Sequence, residues 1–136
     1  MIFNKNFKYY ESLKDASKNT REIQEGDYSD CIICDLELIE YGYDREAARF
    51  VVDYDPGDGN RKLIYAYHSF YGRGRLHFID SLMHMLIRCN PYVDIKEIYG
   101  ETNEELVETF KDLIGIRCNM NVVTSEVYPP SINLYL

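Results

Sequence analysis

The hydrophobic period of this chain changes from strand to helix at Gly72-Arg73-Gly74, and that change restricts the fold more than any other feature. Upstream, apolar residues alternate with polar ones. Tyr28 to Tyr41 alternates loosely through Tyr28, Cys31, Ile33, Leu36, Leu38, Ile39 and Tyr41. Arg49 to Tyr54 carries Phe50, Val51, Val52 and Tyr54, and Leu63 to Phe70 is rich in Tyr and Ile. A repeat near two residues turns one face of a strand toward a core. Downstream, Leu76, Ile79, Leu82, Met83, Leu86 and Ile87 recur at helical spacing, predicting an amphipathic helix from Arg75 to Arg88.

Turn residues divide the rest. Gly26-Asp27 opens the first strand and Gly42 ends it, with a bend or bulge expected near Cys34-Asp35. Asp55-Pro-Gly-Asp-Gly-Asn60 is a dense turn signal that joins the second and third strands as a hairpin. Asn90-Pro91 stops the helix. Thr102 with Glu105 three residues on predicts a capping box for a second helix, Asn103 to Leu113, striped by Leu106, Phe110 and Leu113. Ile116 to Val123 reads as a fourth strand, Pro129-Pro130 as a loop, and Ile132 to Leu136 as a short last strand. Residues 1–25 read as an N-terminal extension, with a short helix around Tyr9 to Ser17 and then an irregular lead-in.

The expected fold is therefore mainly β with α, an α+β domain over residues 26–136. Three strands, one or two helices, then two strands is the order of an OB-like five-stranded barrel, a fold that often carries oligonucleotides on one face. A chain of 136 residues is long enough to bury a real core as one domain. No stretch approaches the about 18 apolar residues of a membrane span. Met1 to Tyr10 lacks the apolar centre and cleavage site of a signal peptide, so a cytoplasmic protein is expected. The four cysteines show no disulfide-scaffold spacing. Cys31 and Cys34 form a C-x-x-C, but on a strand positions i and i+3 face opposite ways, which argues against zinc.

Charge is distributed unevenly. The net charge is −8, yet residues 61–90 hold five Lys/Arg against one acid, Asp80. Residues 27–60 hold two Arg against ten Asp/Glu. An acidic body argues against bulk duplex binding, which works by neutralising many phosphates. The basic stretch is interleaved with Tyr65, Tyr67, His68, Phe70, Tyr71, His77 and Phe78. Cations beside flat rings suit a single strand, whose phosphates take the charge and whose unstacked bases take the rings. Lys62, Tyr65, Tyr67, Arg73 and Arg75 are the candidate nucleic-acid-binding residues. On the third strand either Tyr65 and Tyr67 face out, or His68 and Phe70 do. Gly72-Arg73-Gly74-Arg75 precedes a helix, whose N-terminal amides suit a phosphate; the Lys-Ser/Thr of an ATP-binding loop is absent.

Other chemistry is poorly supported. His77, Asp80 and His84 lie near one helical face, without a further ligand nearby. Asp53, Asp55 and Asp58 superficially resemble a calcium loop, but the third acid is one place late and Ile64 stands where a bidentate Glu belongs. No nucleophile–base arrangement can be picked out. No metal, cofactor or catalytic residue is expected.

Motifs spread over residues 23–136 resemble small phage proteins of an uncharacterised OB-fold family. They are Ile23-Gln-Glu-Gly-Asp-Tyr28 opening a strand that ends near Leu36-Glu37, and the Phe50-Val-Val52 hairpin strand. Gly72-Arg-Gly-Arg-Leu76 then leads into Phe78-Ile79-Asp80-Ser81-Leu82, and Leu113-Ile-Gly-Ile-Arg-Cys118 enters Val122-Val123, followed by Pro130. The resemblance implies an OB fold and single-stranded-DNA binding in phage replication or recombination, inside the host cytoplasm. The alternative is an acidic phage inhibitor of a host defence nuclease, such as a CRISPR effector. In that case Asp53, Asp55 and Asp58 would imitate phosphates.

Overall fold

The computed structural model describes residues 13–136, and its organising element is the long strand β1 (Gly26–Tyr41). The C-terminal part of β1 pairs antiparallel with β2 (Arg45–Tyr54), from Ile32 opposite Asp53 to Tyr41 opposite Arg45. Its N-terminal part pairs antiparallel with β4 (Arg117–Val123), from Gly26 opposite Val122 to Ile32 opposite Arg117. The hairpin partner of β2 is β3 (Lys62–Ser69), and β5 (Ser131–Tyr135) completes the sheet beside β4. The order is β3-β2-β1-β4-β5, an antiparallel five-stranded sheet in an α+β fold. Among the described residues no ladder joins β3 to β5.

Two register shifts bend β1. One lies between Ile33 and Asp35 on the β2 side, where the sequence predicts a bulge. The other lies between Tyr28 and Cys31 on the β4 side. Asp30 sits inside the second with a φ of 57°, a left-handed conformation that Asp tolerates better than most side chains. Its carboxylate accepts a hydrogen bond from Arg117, and Arg61 donates to its carbonyl at 2.7 Å. Extra residues of this kind raise local twist and curl a sheet.

Alternation sorts the strands into two faces. Ala48, Phe50, Val52 and Tyr54 of β2, Ile64, Ala66 and His68 of β3, and Cys118, Met120 and Val122 of β4 are buried on the inner face. Helix α2 (Gly74–Cys89) covers that face with Phe78, Ile79, Leu82, Met83, Met85 and Leu86. Its stripe is rotated from the sequence reading: Leu76 and Ile87 are exposed, and Phe78 and Met85 are buried instead. At about 100° per residue Leu76 and Ile87 share one edge of the stripe and Phe78 and Met85 the other, so the buried arc is turned toward the latter pair. α4 (Asn103–Phe110) adds Leu106, Val107 and Phe110. Its capping box is formed: Glu105 N–H donates to Thr102 Oγ1 at 3.1 Å, and Thr102 N–H donates to Glu105 Oε1 at 2.9 Å. A single short helical turn, Lys111–Leu113, carries the rest of the predicted second helix.

Two helices depart from the sequence reading. α1 (Ala16–Glu22) occupies what was read as the irregular lead-in, beyond the helix expected near Tyr9 to Ser17. The first part of that expected helix, like residues 1–12 of the extension, lies outside the described residues. α3 (Ile95–Tyr99) was not anticipated, although its start is signalled: Asp94 accepts from the N–H groups of Lys96 and Glu97.

The passage from β3 into α2 is close. A Cβ at Gly74 would collide with the Ser69 carbonyl oxygen and lie 2.9 Å from its carbon. Neither backbone can yield without moving a strand end or a helix start. Gly74→Ala is therefore expected to cost about 1–3 kcal/mol, within the range of overpacked sites, read as a lower denaturation midpoint at unchanged slope.

Candidate functional site

The outer face of β2 and β3 holds the aromatic part of the predicted site. Alternation puts Tyr65 and Tyr67 on it with Arg49, Val51, Leu63 and Ser69, and their ring centroids are 6.0 Å apart. His68 and Phe70 are buried among core residues instead.

α1 closes one half of this outer face. Asn19 Nδ2 donates to the Leu63 carbonyl at 3.0 Å, and Tyr65 N–H donates to Thr20 Oγ1 at 2.8 Å. These bonds satisfy edge groups of β3 that would otherwise invite another strand. Ala16, Val51 and Leu63 form a small second core, with Leu13, Cys34 and Tyr65 packed against it. Tyr65 is thus half-covered, which corrects the expectation of an open two-ring platform.

The other half is open. Tyr67 remains 46% exposed. Arg49 lies directly across from it on β2, and Glu37 lies across from Arg49 on β1. The Arg49 guanidinium sits over the Tyr65 ring, 4.4 Å from its centroid, and donates to Glu37 Oε1. Burial pulls the Arg49 pKa down, but the bond to Glu37 and its charge outweigh that, and the net shift is upward. Further along, Arg45 covers the Tyr71 ring at 4.1 Å, and the Tyr41 and Ser69 hydroxyls bond to each other. Arg49, Arg45 and Tyr71 were not singled out by sequence reasoning as site residues. Their signal is the hairpin register, which sets Arg49 against Tyr67.

The predicted cations divide. The side chains of Lys62 and Arg73 are exposed and have no hydrogen-bond or ion-pair partner among the described residues. Lys62 opens β3 and Arg73 lies in the turn beyond its other end, and the strand alone runs roughly 23 Å at about 3.3 Å per residue. Arg75 is not available in the same way. Its guanidinium donates to Asn103 Oδ1 at 2.8 Å, to the Tyr99 carbonyl at 3.5 Å and to the Glu101 carbonyl. It clamps the start of α2 to the junction of α3 and α4, a structural use that displaces the predicted phosphate contact. Arg61 is likewise engaged, with Asp53 at 2.6 Å and with Asp30.

The acidic candidates serve their own loop. Asp55 Oδ1 accepts from the N–H groups of Gly57 at 2.8 Å and Gly59 at 3.1 Å, and these bonds lower its pKa. Asp58 accepts from Asn60 N–H at 2.8 Å, and Asp53 pairs with Arg61. Cys31 and Cys34 take opposite faces: Cys31 is in the main core opposite Cys118, and Cys34 packs against the small outer cluster. Burial pushes the Cys31 thiol up to about 11 and the Cys118 thiol up to about 12. On α2, Asp80 accepts from the Tyr99 hydroxyl at 2.7 Å. Among the described residues no three His, Cys, Asp or Glu side chains group as metal ligands, and no helix is long and apolar enough to cross a membrane. In comparison with known proteins, no family model, no curated protein and no solved structure matches this chain.

Proposed function

We propose that this chain is a binding module of OB type, related to phage replication or recombination proteins, that holds single-stranded DNA on the outer face of β2 and β3. The observation that carries the reading is the exposed ring of Tyr67 on that face, packed beside Tyr65 and facing Arg49. An accessible ring with a guanidinium at its side suits an unstacked base and its adjoining phosphate.

The connectivity supports the OB assignment. A β3-β2-β1-β4-β5 order, with helices between β3 and β4, is that of an OB barrel opened between its third and fifth strands. OB domains bind oligonucleotides on the face of strands 2 and 3, flanked by the loops after strands 1 and 4. Here both loops present aromatic rings. Tyr43 in the β1–β2 turn is 92% exposed, and Tyr128 in the β4–β5 loop is 73% exposed. The acidic-inhibitor alternative draws less support, because Asp53, Asp55 and Asp58 are occupied by Arg61 and by their own turn. No catalytic step is part of the proposal, and the setting it implies is the cytoplasm of a host cell.

Fluorescence anisotropy with a labelled single-stranded oligonucleotide over a salt series tests the reading. Tyr67→Ala is expected to lose about 1–3 kcal/mol of binding with little change in salt slope. Arg73→Ala should instead lower the slope by about 0.7, one phosphate contact to a single strand. If folded Tyr67→Ala binds as tightly as the parent, the ring does not stack on a base and the reading fails.

A further inference from the structure

We propose that Arg49 takes a backbone phosphate of the bound strand, and that Glu37 is an internal competitor for the same guanidinium. The inference rests on the outer face being the single-strand surface. It adds a residue to that surface and identifies the group that holds the residue when no strand is bound.

Arg49 is pre-positioned. Tyr65 supports one face of its guanidinium at 4.4 Å, and register fixes it across from Tyr67. A guanidinium carries five N–H donors in a planar fork. Here one terminal nitrogen donates to Glu37, the Tyr67 hydroxyl is a second partner of the guanidinium, and Nε is buried without a hydrogen-bond partner among the described residues. The fork is therefore oriented but only partly used. Phosphate oxygens match it in pairs, which is why arginine suits phosphodiesters better than a point charge does.

Glu37 presents an oxyanion to the same fork. Its side chain is about half exposed, so it can turn to water when displaced. The pair is only partly exposed, with Glu37 the more open partner, and a surface pair of this kind holds weakly. Exchange of carboxylate for phosphate also has a defined ionic balance. Phosphate releases its condensed cation only as far as protein charge replaces it, and freed Glu37, still beside Arg49, offsets most of that charge. In the parent protein this contact should add almost nothing to the salt slope, although it contributes to the grip on the strand.

The test is anisotropy with a labelled single-stranded dT oligonucleotide over a salt series, on the parent, Glu37→Gln, Arg49→Gln and the double variant. Glu37→Gln is expected to bind about 2- to 5-fold tighter, the weak hold of a surface pair converted to affinity. Its salt slope should steepen by about 0.7, the full share of one phosphate. In the Arg49→Gln background the same change should do nothing, because the competitor has lost its target. A gain that persists in that background would show only a general effect of removing one acid, and would overturn the inference. Unchanged affinity and slope in Glu37→Gln would overturn it too, while the single-strand reading would stand. A parent protein that fails to bind dT at low salt would overturn both.

Discussion

Phe78→Ala is expected to remove about 3–5 kcal/mol of stability, the range for a buried phenylalanine cut to alanine. Phe78 has no exposed surface and joins four other rings. Its centroid lies 4.9 Å from Phe110, 5.2 Å from Phe70, 5.6 Å from His68 and 6.1 Å from Phe50. These rings come from α4, the end of β3, β3 itself and β2, so one side chain ties the principal helix to the sheet. Truncation leaves a void bordered by rigid rings that cannot collapse into it. Domains of this size have about 5–15 kcal/mol in total, so much of the native population would be lost under mild denaturant. Urea denaturation measures the effect. A loss under about 1 kcal/mol would show that the ring cluster is not the keystone of the core.

Acid should destabilise the protein through His68. Burial, reinforced by the nearby charge of His77, lowers its pKa from the usual 6.5 to about 4. Only 9% of the residue is exposed, Nε2 has no hydrogen-bond partner among the described residues, and Phe50 and Phe78 pack edge-on against the ring. The folded state thus holds the imidazole neutral, and the unfolded state binds a proton more readily. Its contribution is complete above about pH 6.5 and is lost as pH falls toward about 4, up to about 3 kcal/mol in all at about 1.4 kcal/mol per pH unit. His68→Leu should remove this acid limb. Stability curves of the parent and variant between pH 7 and pH 4 share every other titrating group, so their difference isolates His68. Parallel curves would show that this imidazole is not held neutral.

Much of the scaffold is legible in the sequence because periodicity and turn chemistry act locally. The hairpin from Phe50 to Phe70, the bulge near Asp35 and the capping box at Thr102 each depend on residues close in the chain. α1 escaped because ASKNTRE offers little apolar stripe, and its helix is held by polar bonds to β3. α3 is a single short turn of helix, too brief for a period to register. The candidate site was only half legible. Alternation left two options for β3, and only packing decides that Ile64, Ala66 and His68 go inward. No local pattern predicts that Arg75 is held by carbonyls some 25 positions away. Nor does one predict that Arg49 comes to rest over Tyr65, since that follows from the strand register.

The two partners of β1 differ in a way that bears on how the chain assembles. β2 and β3 follow it through short turns, so a three-stranded meander closes only small loops. β4 is different: Asp30 meets Arg117 from 87 positions away, and Asp27 meets Asn121 from 94. Loop closure costs conformational entropy that rises with the length enclosed, and non-local pairings of this kind slow folding. The seam between β1 and β4 is therefore where assembly is kinetically dearest.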